Sequence, residues 1–268
     1  MDAAIIREDG IRLAVFLVLL GAMLAWELAA PARRGEVPRL LRWSNNLLLV
    51  AIDGAAVRLV FPVLAVGAAV WAGERGIGLL NWLAVPGWLA GPAAFLALDL
   101  LIWWQHRVFH AVPLFWRLHR MHHADTEVDA STGVRFHPGE IALSMAIKIA
   151  AVVGLGAPAG AVLLFELVLN ATALFTHANV ALPVRAERAL RCLIVTPAMH
   201  RIHHSVRREE TDSNFGFNLS VWDRLFGTYR ARPEGGEEGL TLGLPQFRSR
   251  RDLWIDRLLL LPFRRDGG

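Results

Sequence analysis

The chain has 268 residues, 54% of them apolar and 19% charged, and its mean hydropathy of +0.40 excludes an ordinary water-soluble globular domain. The net charge of +4 is carried almost entirely by arginines, with Lys148 the single lysine. These arginines flank apolar stretches, as membrane topology requires, and leave no basic face for nucleic acid. One cysteine, Cys192, excludes an intrachain disulfide and a thiolate zinc knuckle.

Five apolar stretches follow one another along the chain, and about 20 apolar residues suffice to span a bilayer as a helix. They cover residues 11–30, 47–72, 79–105, 141–157 and 160–176. The last two are short, so they form either two full crossings or a shallow helical hairpin. The sequence predicts an all-α integral membrane protein with about four to five membrane helices or half-helices.

The loops between these stretches differ in their arginine content. Segments 31–46, 106–140 and 177–268 are rich in arginine, whereas the opposite loops are short and nearly uncharged. Because cytoplasmic loops carry the excess of Lys and Arg, we expect these segments in the cytoplasm and the N-terminus outside. The histidine-rich segments described below would then form a helical cap on the cytoplasmic side.

Charged residues inside the apolar stretches need partners. Lys148 and Glu166 lie at similar distances from the turn at Pro158, so we expect the two side chains to meet. The alternative is that Glu166 transfers protons or binds a metal. Asp53 and Arg58 are five residues apart, a poor helical pairing distance, so each should contact another helix or the membrane interface.

All ten histidines fall between positions 106 and 204, and most of them form tight groups. On a helix, positions i, i+3 and i+4 share a face, so each H-x-x-H-H motif should aim three imidazoles at one point. The groups are H-x-x-x-H at His106 and His110, and H-x-x-H-H at His119, His122 and His123 and again at His200, His203 and His204. His137 lies in RFHPGE and His177 in THAN.

Eight to ten imidazoles exceed what one ion can accept, so the spacing predicts two metal ions. Structural zinc prefers closed sites with four ligands, usually including cysteine, and has no redox chemistry. Imidazole also binds iron, copper and nickel. The spacing alone leaves the choice of metal open.

Segment 249–265, SRRDLWIDRLLLLPFRR, places leucines and aromatic residues between arginine-rich ends. This composition predicts either a helix lying in the membrane interface or a helix packed on the domain.

Three segments carry a family resemblance. Segments 99–125, 196–206 and 214–230 resemble signatures of the fatty acid hydroxylase and sterol desaturase superfamily, in particular its bacterial sterol desaturase members, over about residues 98–230. The resemblance implies a pair of iron ions, for which zinc could substitute in purified protein, O2 as co-substrate and a location in the bacterial inner membrane. It divides the chain into N-terminal membrane helices (1–97), an oxygenase core (98–232) with a membrane hairpin (141–176), and a tail with an interfacial helix (233–268).

The resemblance also implies the residues of the site. The metal ligands would be His106, His110, His119, His122, His123, His200, His203 and His204, with His177 as a ninth. His137 is either a further ligand or a supporting residue fixed by Pro138 and Glu140. Asp99 would accept a hydrogen bond from a ligand ring or pair with an arginine, and further supporting candidates are Asn179, Asn214 and Asp223.

The implied activity is O2-dependent hydroxylation of a lipid, which could be a sterol, a fatty-acyl or an ether lipid. Two electrons would come from a small cytochrome or a ferredoxin with its reductase, because the chain has no flavin, dinucleotide, haem or ferredoxin motif. Desaturation of the C-5-sterol type and ether cleavage of the alkylglycerol monooxygenase type are alternatives. Outside the enzyme class, the chain would be an inactive metal-bound scaffold or a metal transporter. The oligomeric state and the substrate carbon stay open.

Overall fold

The computed structural model describes residues 2–265, and the side chains of residues 10–265. Over this range the fold is helical, with three isolated β-bridges and no sheet, which confirms the predicted class. The α-helices are α1 (Asp2–Ala29), α2 (Arg39–Val60), α3 (Ala65–Glu74), α4 (Leu79–Trp82), α5 (Gly87–Ala111), α6 (Pro113–His123), α7 (Pro138–Leu155), α8 (Ala159–His177), α9 (Val184–Leu190), α10 (Pro197–His203), α11 (Arg208–Thr211), α12 (Val221–Leu225), α13 (Gly236–Gly239) and α14 (Ile255–Leu260). Short 3₁₀ turns lie at Ala130–Val134, Arg250–Leu253 and Leu261–Phe263.

Five segments are long and apolar enough to cross a membrane, in agreement with the predicted number. They are Gly10–Ala29, Arg39–Trp82, Gly87–Ala111, Pro138–Leu155 and Ala159–His177. Large apolar side chains point outward along them, among them Val18, Leu59 and Trp88. Such a surface is compatible with lipid and not with water, so the chain is an integral membrane protein.

The second and third apolar stretches are each broken by a turn that contains proline. Helix α2 ends at Val60, just before Pro62, and α3 begins only at Ala65. The stretch 79–105 contains a turn in which Ala84 has a positive φ of 48°, and Pro86 then caps α5. Proline fixes φ and lacks an N–H, so a helix ends before it more readily than it passes through it.

Helices α7 and α8 form a hairpin around Gly156, which has a φ of 66° in the left-handed region that favours glycine. Lys148 Nζ lies 2.8 Å from Glu166 Oε1, which confirms the expected pair. Arg12 of α1 binds the other oxygen, Glu166 Oε2, at 2.6 Å. The carboxylate therefore ties α1 to the hairpin and lies outside both histidine groups described below.

One end of the helix bundle gathers the C-termini of α1, α5 and α8 and the N-terminus of α2. At the end of α1, Glu27 accepts hydrogen bonds from the backbone N–H groups of Ala130 and Asn179, at 2.8 and 2.7 Å. At the start of α2, Arg42 reaches Asp125, and the ends of α5 and α8 carry histidines to the same place. The histidines therefore share one end of the molecule.

The C-terminal segment 249–265 is not the single helix that the sequence suggested. It consists of α14 between two 3₁₀ turns, because Pro262 cannot continue the helical hydrogen bonds. Leu258 and Leu261 are fully buried on the domain, and the carbonyl of Pro262 accepts a 2.7 Å hydrogen bond from Arg117 Nε. Packing on the domain is thus the arrangement observed.

Candidate metal centre

Nine of the ten histidines converge in two buried groups. In each group, one nitrogen of every ring lies within 4.8 Å of the corresponding nitrogens of the others. The five-histidine group contains His106, His110, His119, His123 and His203, and the four-histidine group contains His122, His177, His200 and His204. The structure thus brings together the eight motif histidines and His177.

Each H-x-x-H-H motif is divided between the two groups, contrary to the prediction that its three rings share one point. His119 and His123 join the five-histidine group, whereas His122 joins the other. In the second motif, His200 and His204 join the four-histidine group, whereas His203 joins the five-histidine group. A helix advances about 100° per residue, so positions i and i+4 lie about 40° apart while i+3 and i+4 are separated by about 100°. Neighbouring rings therefore face two different points.

The Nε2 atoms of the rings approach one another closely within each group. In the five-histidine group, His119 Nε2 lies 3.1 Å from His106 Nε2 and 3.2 Å from His123 Nε2, which is 3.1 Å from His110 Nε2. In the four-histidine group the Nε2–Nε2 distances are 3.1 Å for His122 and His177, 2.9 Å for His177 and His200, and 3.3 Å for His200 and His204.

The opposite ring nitrogens, Nδ1, show where several of the rings carry their proton. A carbonyl oxygen can only accept, so a ring whose Nδ1 contacts a carbonyl carries its proton there and has a lone pair on Nε2. This applies to His106 with Phe215 O at 2.8 Å and to His177 with Ala173 O at 2.7 Å. His203 donates likewise to Ser213 O at 2.7 Å, and its buried Nε2 has no hydrogen-bond partner.

Lone pairs that face each other repel unless a cation lies between them. The two groups therefore fit two metal ions, each held by neutral imidazole nitrogens. An all-nitrogen donor set suits iron, copper, nickel or zinc rather than magnesium or calcium.

Burial keeps the rings neutral, as metal ligation requires. For the histidines of the two groups that lie outside the membrane-spanning segments, burial lowers the pKa, and the pKa of His119 falls to about 3. Burial, with repulsion from neighbouring rings, lowers the pKa of His122 and His203 well below the ordinary value. The same causes act on His123, His200 and His204. A neutral ring needs no deprotonation before it binds a metal.

Two carboxylates orient rings of the five-histidine group. Glu140 Oε1 lies 2.7 Å from His119 Nδ1, and both side chains are buried. Asp212 Oδ1 lies 3.2 Å from His110 Nδ1 and is about one-third exposed. A carboxylate on Nδ1 fixes the tautomer and raises the basicity of Nε2 toward a metal. The sequence had assigned neither contact, because Glu140 was considered only as a support for His137.

Asp99 does not contact a ligand ring in the described part of the chain, so its expected hydrogen bond to a histidine is not formed. Its Oδ2 instead accepts from Trp222 Nε1 at 2.8 Å and from Leu219 N at 3.3 Å. Through these two hydrogen bonds, Asp99 links α5 to α12 and to the segment that precedes α12.

Asp223 influences a histidine ring indirectly, through the backbone that the ring contacts. It accepts from Phe215 N and Gly216 N, each at 2.8 Å, and from Trp103 Nε1 at 3.0 Å. This clamp fixes the peptide whose carbonyl receives the proton of His106 Nδ1. Asp223 therefore positions His106 through the backbone.

The two asparagines also bind the backbone. Asn214, with a positive φ of 52°, donates to the carbonyls of Met199 and Arg230, both at 3.0 Å, and so secures α10. Asn179 donates to Arg33 O at 2.8 Å and accepts from Arg33 N at 3.0 Å. Neither bonds a ligand ring within the described residues.

His137 lies outside both groups. Its Nδ1 accepts from Gly139 N at 3.0 Å and caps α7, and its Nε2 donates to Leu259 O at 3.2 Å. Both ring nitrogens are therefore engaged by backbone groups. In this arrangement His137 sets the start of the helix that carries Glu140, and the alternative of a tenth ligand finds no support in the geometry.

The segment after His123 is held by a buried ion network from the N-terminal helices. Arg42 binds Asp125 in bidentate fashion, with both N–O distances 2.9 Å, and Asp129 at 2.6 Å. Burial alone would raise the pKa of Asp125, but the charges of Arg42 and Arg135 outweigh it and hold this pKa at about 2. No motif marks Arg42, so sequence reasoning missed its role.

A cavity of about 610 Å³ lies between α1, α2, α5, α7 and α8 and reaches the five-histidine group. His106 and His119 line it, together with apolar residues such as Ile102, Phe109 and Val134. Its size suits a lipid-sized ligand. The four-histidine group lines no part of this cavity.

A family model described as fatty acid hydroxylase matches residues 91–228, just over half of the chain. The chain belongs to the fatty acid hydroxylase family. Membership confirms the resemblance drawn from the histidine motifs, and the matched range contains every member of the two histidine groups. Arg42 and Asp53 lie outside it.

Relatives within and near the family are lipid-modifying enzymes by name. Human alkylglycerol monooxygenase is 31% identical over 229 residues, which cover 85% of this chain and 48% of that protein. Ornithine lipid hydroxylase OlsE of Rhizobium tropici is 32% identical over 142 residues, 52% of this chain and 42% of that protein. The chain thus spans less than half the length of these relatives. No solved structure matches.

Proposed function

We propose that this protein is a membrane-bound non-haem di-iron oxygenase that hydroxylates a lipid with O2 and two external electrons. The observation that carries the proposal is the convergence of nine imidazole nitrogens into two buried groups, one of which lines a largely apolar cavity. Iron bound in these groups would supply the redox chemistry for oxidising an unactivated C–H bond.

The residues of the chain have three tasks in this proposal. The nine histidines of the two groups hold the metals as neutral ligands. Glu140 and Asp212 hold protons at the Nδ1 atoms of His119 and His110, which fixes the direction of each Nε2 lone pair. The apolar wall of the cavity excludes water and receives the lipid close to His106 and His119.

The orientation and the electron supply belong to the same proposal. The arginine distribution supports a metal centre on the cytoplasmic side, and the resemblance to bacterial members of the superfamily supports a location in the inner membrane of a bacterium. Electrons would then come from a cytoplasmic donor, a small cytochrome or a ferredoxin with its reductase. Nothing in the sequence supplies a redox cofactor of its own.

Oxidation of an ether lipid is the second candidate. It is favoured by the similarity to alkylglycerol monooxygenase, which extends over 85% of this chain. Hydroxylation next to an ether oxygen gives a hemiacetal, which breaks into an alcohol and an aldehyde without further oxidation. Desaturation differs in that the substrate loses two hydrogens and gains no oxygen.

Comparative lipid profiling tests the proposal. Cells that express the native protein are compared with cells that express the double variant His122→Ala and His203→Ala, at equal amounts of protein in the membrane. We expect a lipid class in the native cells that carries one added oxygen, and that labelled ¹⁸O2 marks. Aldehydes would favour ether cleavage. Identical profiles together with metal-loaded native protein would favour the inactive scaffold.

A further inference from the structure

The cavity beside the metal centre has an apolar wall interrupted by oxygen atoms that lack hydrogen-bond partners. Three side chains that line it carry such a buried oxygen: Asp53 Oδ1, Gln105 Oε1 and Glu140 Oε2. They come from three different helices, α2, α5 and α7. Three unpaired acceptors on one cavity point to a ligand that donates hydrogen bonds.

The other polar atoms of two of these residues are already engaged, which leaves the unpaired oxygens as pure acceptors. Glu140 Oε1 is taken by His119. Gln105 donates its Nε2 to Ser144 Oγ at 2.7 Å, so its Oε1 is the free end of the amide.

Asp53 is the most unusual of the three residues. It lies in the middle of a membrane-spanning helix and exposes only 7% of its surface, yet its Oδ1 has no partner. Glu140, which exposes 4%, is its electrostatic neighbour. An intramembrane carboxyl group is costly and is retained where it serves a purpose.

We propose that Asp53, with Gln105 and Glu140, binds a free hydroxyl group of the lipid substrate beside the five-histidine group. The proposal rests on the proposed lipid oxygenase and narrows its substrate class. The hydroxyl-bearing end of the lipid would then lie next to the metals, and the alkyl chain would extend away from them. Oxidation would fall on a carbon near the polar end rather than near the terminal methyl group.

A hydroxyl group fits these oxygens better than the other polar groups of lipids. It donates to the Gln105 amide oxygen, and it pairs with a carboxyl group in either protonation state. A phosphate or carboxylate would face three acceptors, while the cations of the cavity wall already have partners: Lys148 and Arg12 bind Glu166, and Arg58 is engaged as well. A plain alkyl chain would leave all three oxygens unsatisfied.

The test compares two probes that differ only in hydroxyl groups: 1-O-hexadecylglycerol and its 2,3-di-O-methyl derivative. Binding to metal-loaded protein in nanodiscs is measured by equilibrium titration without reductant, so no turnover contributes. For the native protein we expect the diol to bind about 10-fold more tightly, as one or two hydrogen bonds to buried acceptors would give. In Asp53→Leu the preference should shrink to within about 2-fold.

Two further variants make the result specific. Asn170→Leu changes an exposed polar residue of the same cavity and should keep the preference for the diol. Gln105→Met removes a different acceptor and should reduce the preference in part, which keeps the test informative if Asp53→Leu fails to fold. Each variant is used only after its metal content has been measured.

Equal binding of the two probes to the native protein, or tighter binding of the methylated one, would overturn the hydroxyl site. A full preference retained in both Asp53→Leu and Gln105→Met would overturn the assignment of these residues. Either result, obtained with two metal ions per chain, leaves the oxygenase proposal intact. Loss of the metals in the native protein would instead count against the oxygenase.

Discussion

The two histidine groups come from the same motifs, but they differ in what surrounds them. The five-histidine group is backed by the carboxylates of Glu140 and Asp212 and borders the cavity through His106 and His119. No carboxylate of the described residues contacts a ring of the four-histidine group, and two of its four rings are backed by backbone carbonyls. His122 Nδ1 lies 3.3 Å from Arg135 O and His177 Nδ1 lies 2.7 Å from Ala173 O.

The four-histidine group is also closely packed against the backbone. A Cβ added at Gly133 would lie 2.5 Å from the Ala173 carbonyl oxygen and 3.2 Å from His177 Nδ1, so only glycine fits beneath this ring. The same type of side chain therefore lies in two different surroundings. Metal ions bound by the two groups need not have the same role. We infer that the five-histidine group meets the substrate, while the four-histidine group is enclosed by protein.

The largest effect should come from removing one ligand of each group separately. His203→Ala should empty the five-histidine group and His122→Ala the four-histidine group, so each variant should keep about one metal ion per chain. Lipid oxidation needs both ions and should fall more than about 100-fold in either variant, beyond the effect of losing a supporting residue. Metal content and ¹⁸O incorporation measure the two outcomes. Two ions retained in both variants would contradict the assignment.

The ion network of Arg42 supports the segment that joins both histidine groups. Loss of this network should therefore affect the two groups to the same extent. Arg42→Met removes the cation of Asp129 and leaves Asp125 with Arg135 alone, 3.8 Å away, which should lower the free energy of unfolding by about 3–5 kcal/mol. Denaturation in detergent measures the change. Arg39→Met, one turn earlier on α2 and outside this network, is the matched control. Equal stability of the two variants would show that the network contributes little.

The carboxylates should matter for one group only. Glu140→Gln removes the charge behind His119 and should weaken metal binding in the five-histidine group about 10- to 100-fold, while the four-histidine group is unchanged. Asp212→Asn should cost less, because this carboxylate is 3.2 Å from His110 and partly exposed. Competition with a chelator measures both affinities. A uniform loss from the two groups would mean that Glu140 acts on the fold and not on His119.

Acid should destabilise the metal-free protein through both groups. Burial lowers the pKa of His119 to about 3, against about 6.5 in the unfolded chain, so the unfolded chain binds more protons between these values. Stability must then fall as the pH falls below about 6.5, by up to about 1.4 kcal/mol per pH unit for this ring. Thermal unfolding at pH 7 and pH 5.5 tests the sign. An unfolding temperature that does not fall at pH 5.5 would contradict the buried, neutral rings.

The smallest effect is expected for His137, which belongs to neither group. His137→Ala removes the cap of α7 and the hydrogen bond to Leu259, at a cost of about 1–2 kcal/mol in unfolding free energy. Both metal ions should remain bound. Loss of an ion in this variant, with the helical content unchanged, would make His137 a ligand after all.

Much of the fold and most histidines of the two groups could be predicted, because both produce regular patterns in the sequence. Apolar runs of about 20 residues predicted the membrane helices, and the tight grouping of the histidines predicted that their rings come together, but not that each H-x-x-H-H motif divides between two groups. The breaks at Pro62 and Pro86 were less visible, since apolar residues continue on both sides of them.

The remaining parts of the site could not be predicted because their partners are far apart in sequence or are backbone atoms. Arg42 and Asp125 are separated by 83 residues, and no spacing rule connects them. The carbonyls of Phe215 and Ala173 that fix two rings belong to residues of any type. Glu140 belongs to the recognisable motif RFHPGE. Its partner, His119, could not be predicted because the contact depends on how α7 packs against α6.

Iron content per chain tests the central claim most directly. The protein is stripped of zinc and copper, which compete with ferrous iron at nitrogen sites, then reloaded with ferrous iron without oxygen and measured by elemental analysis. We predict two iron ions per native chain, and one in His203→Ala. One ion or none in the native chain would contradict a dinuclear centre.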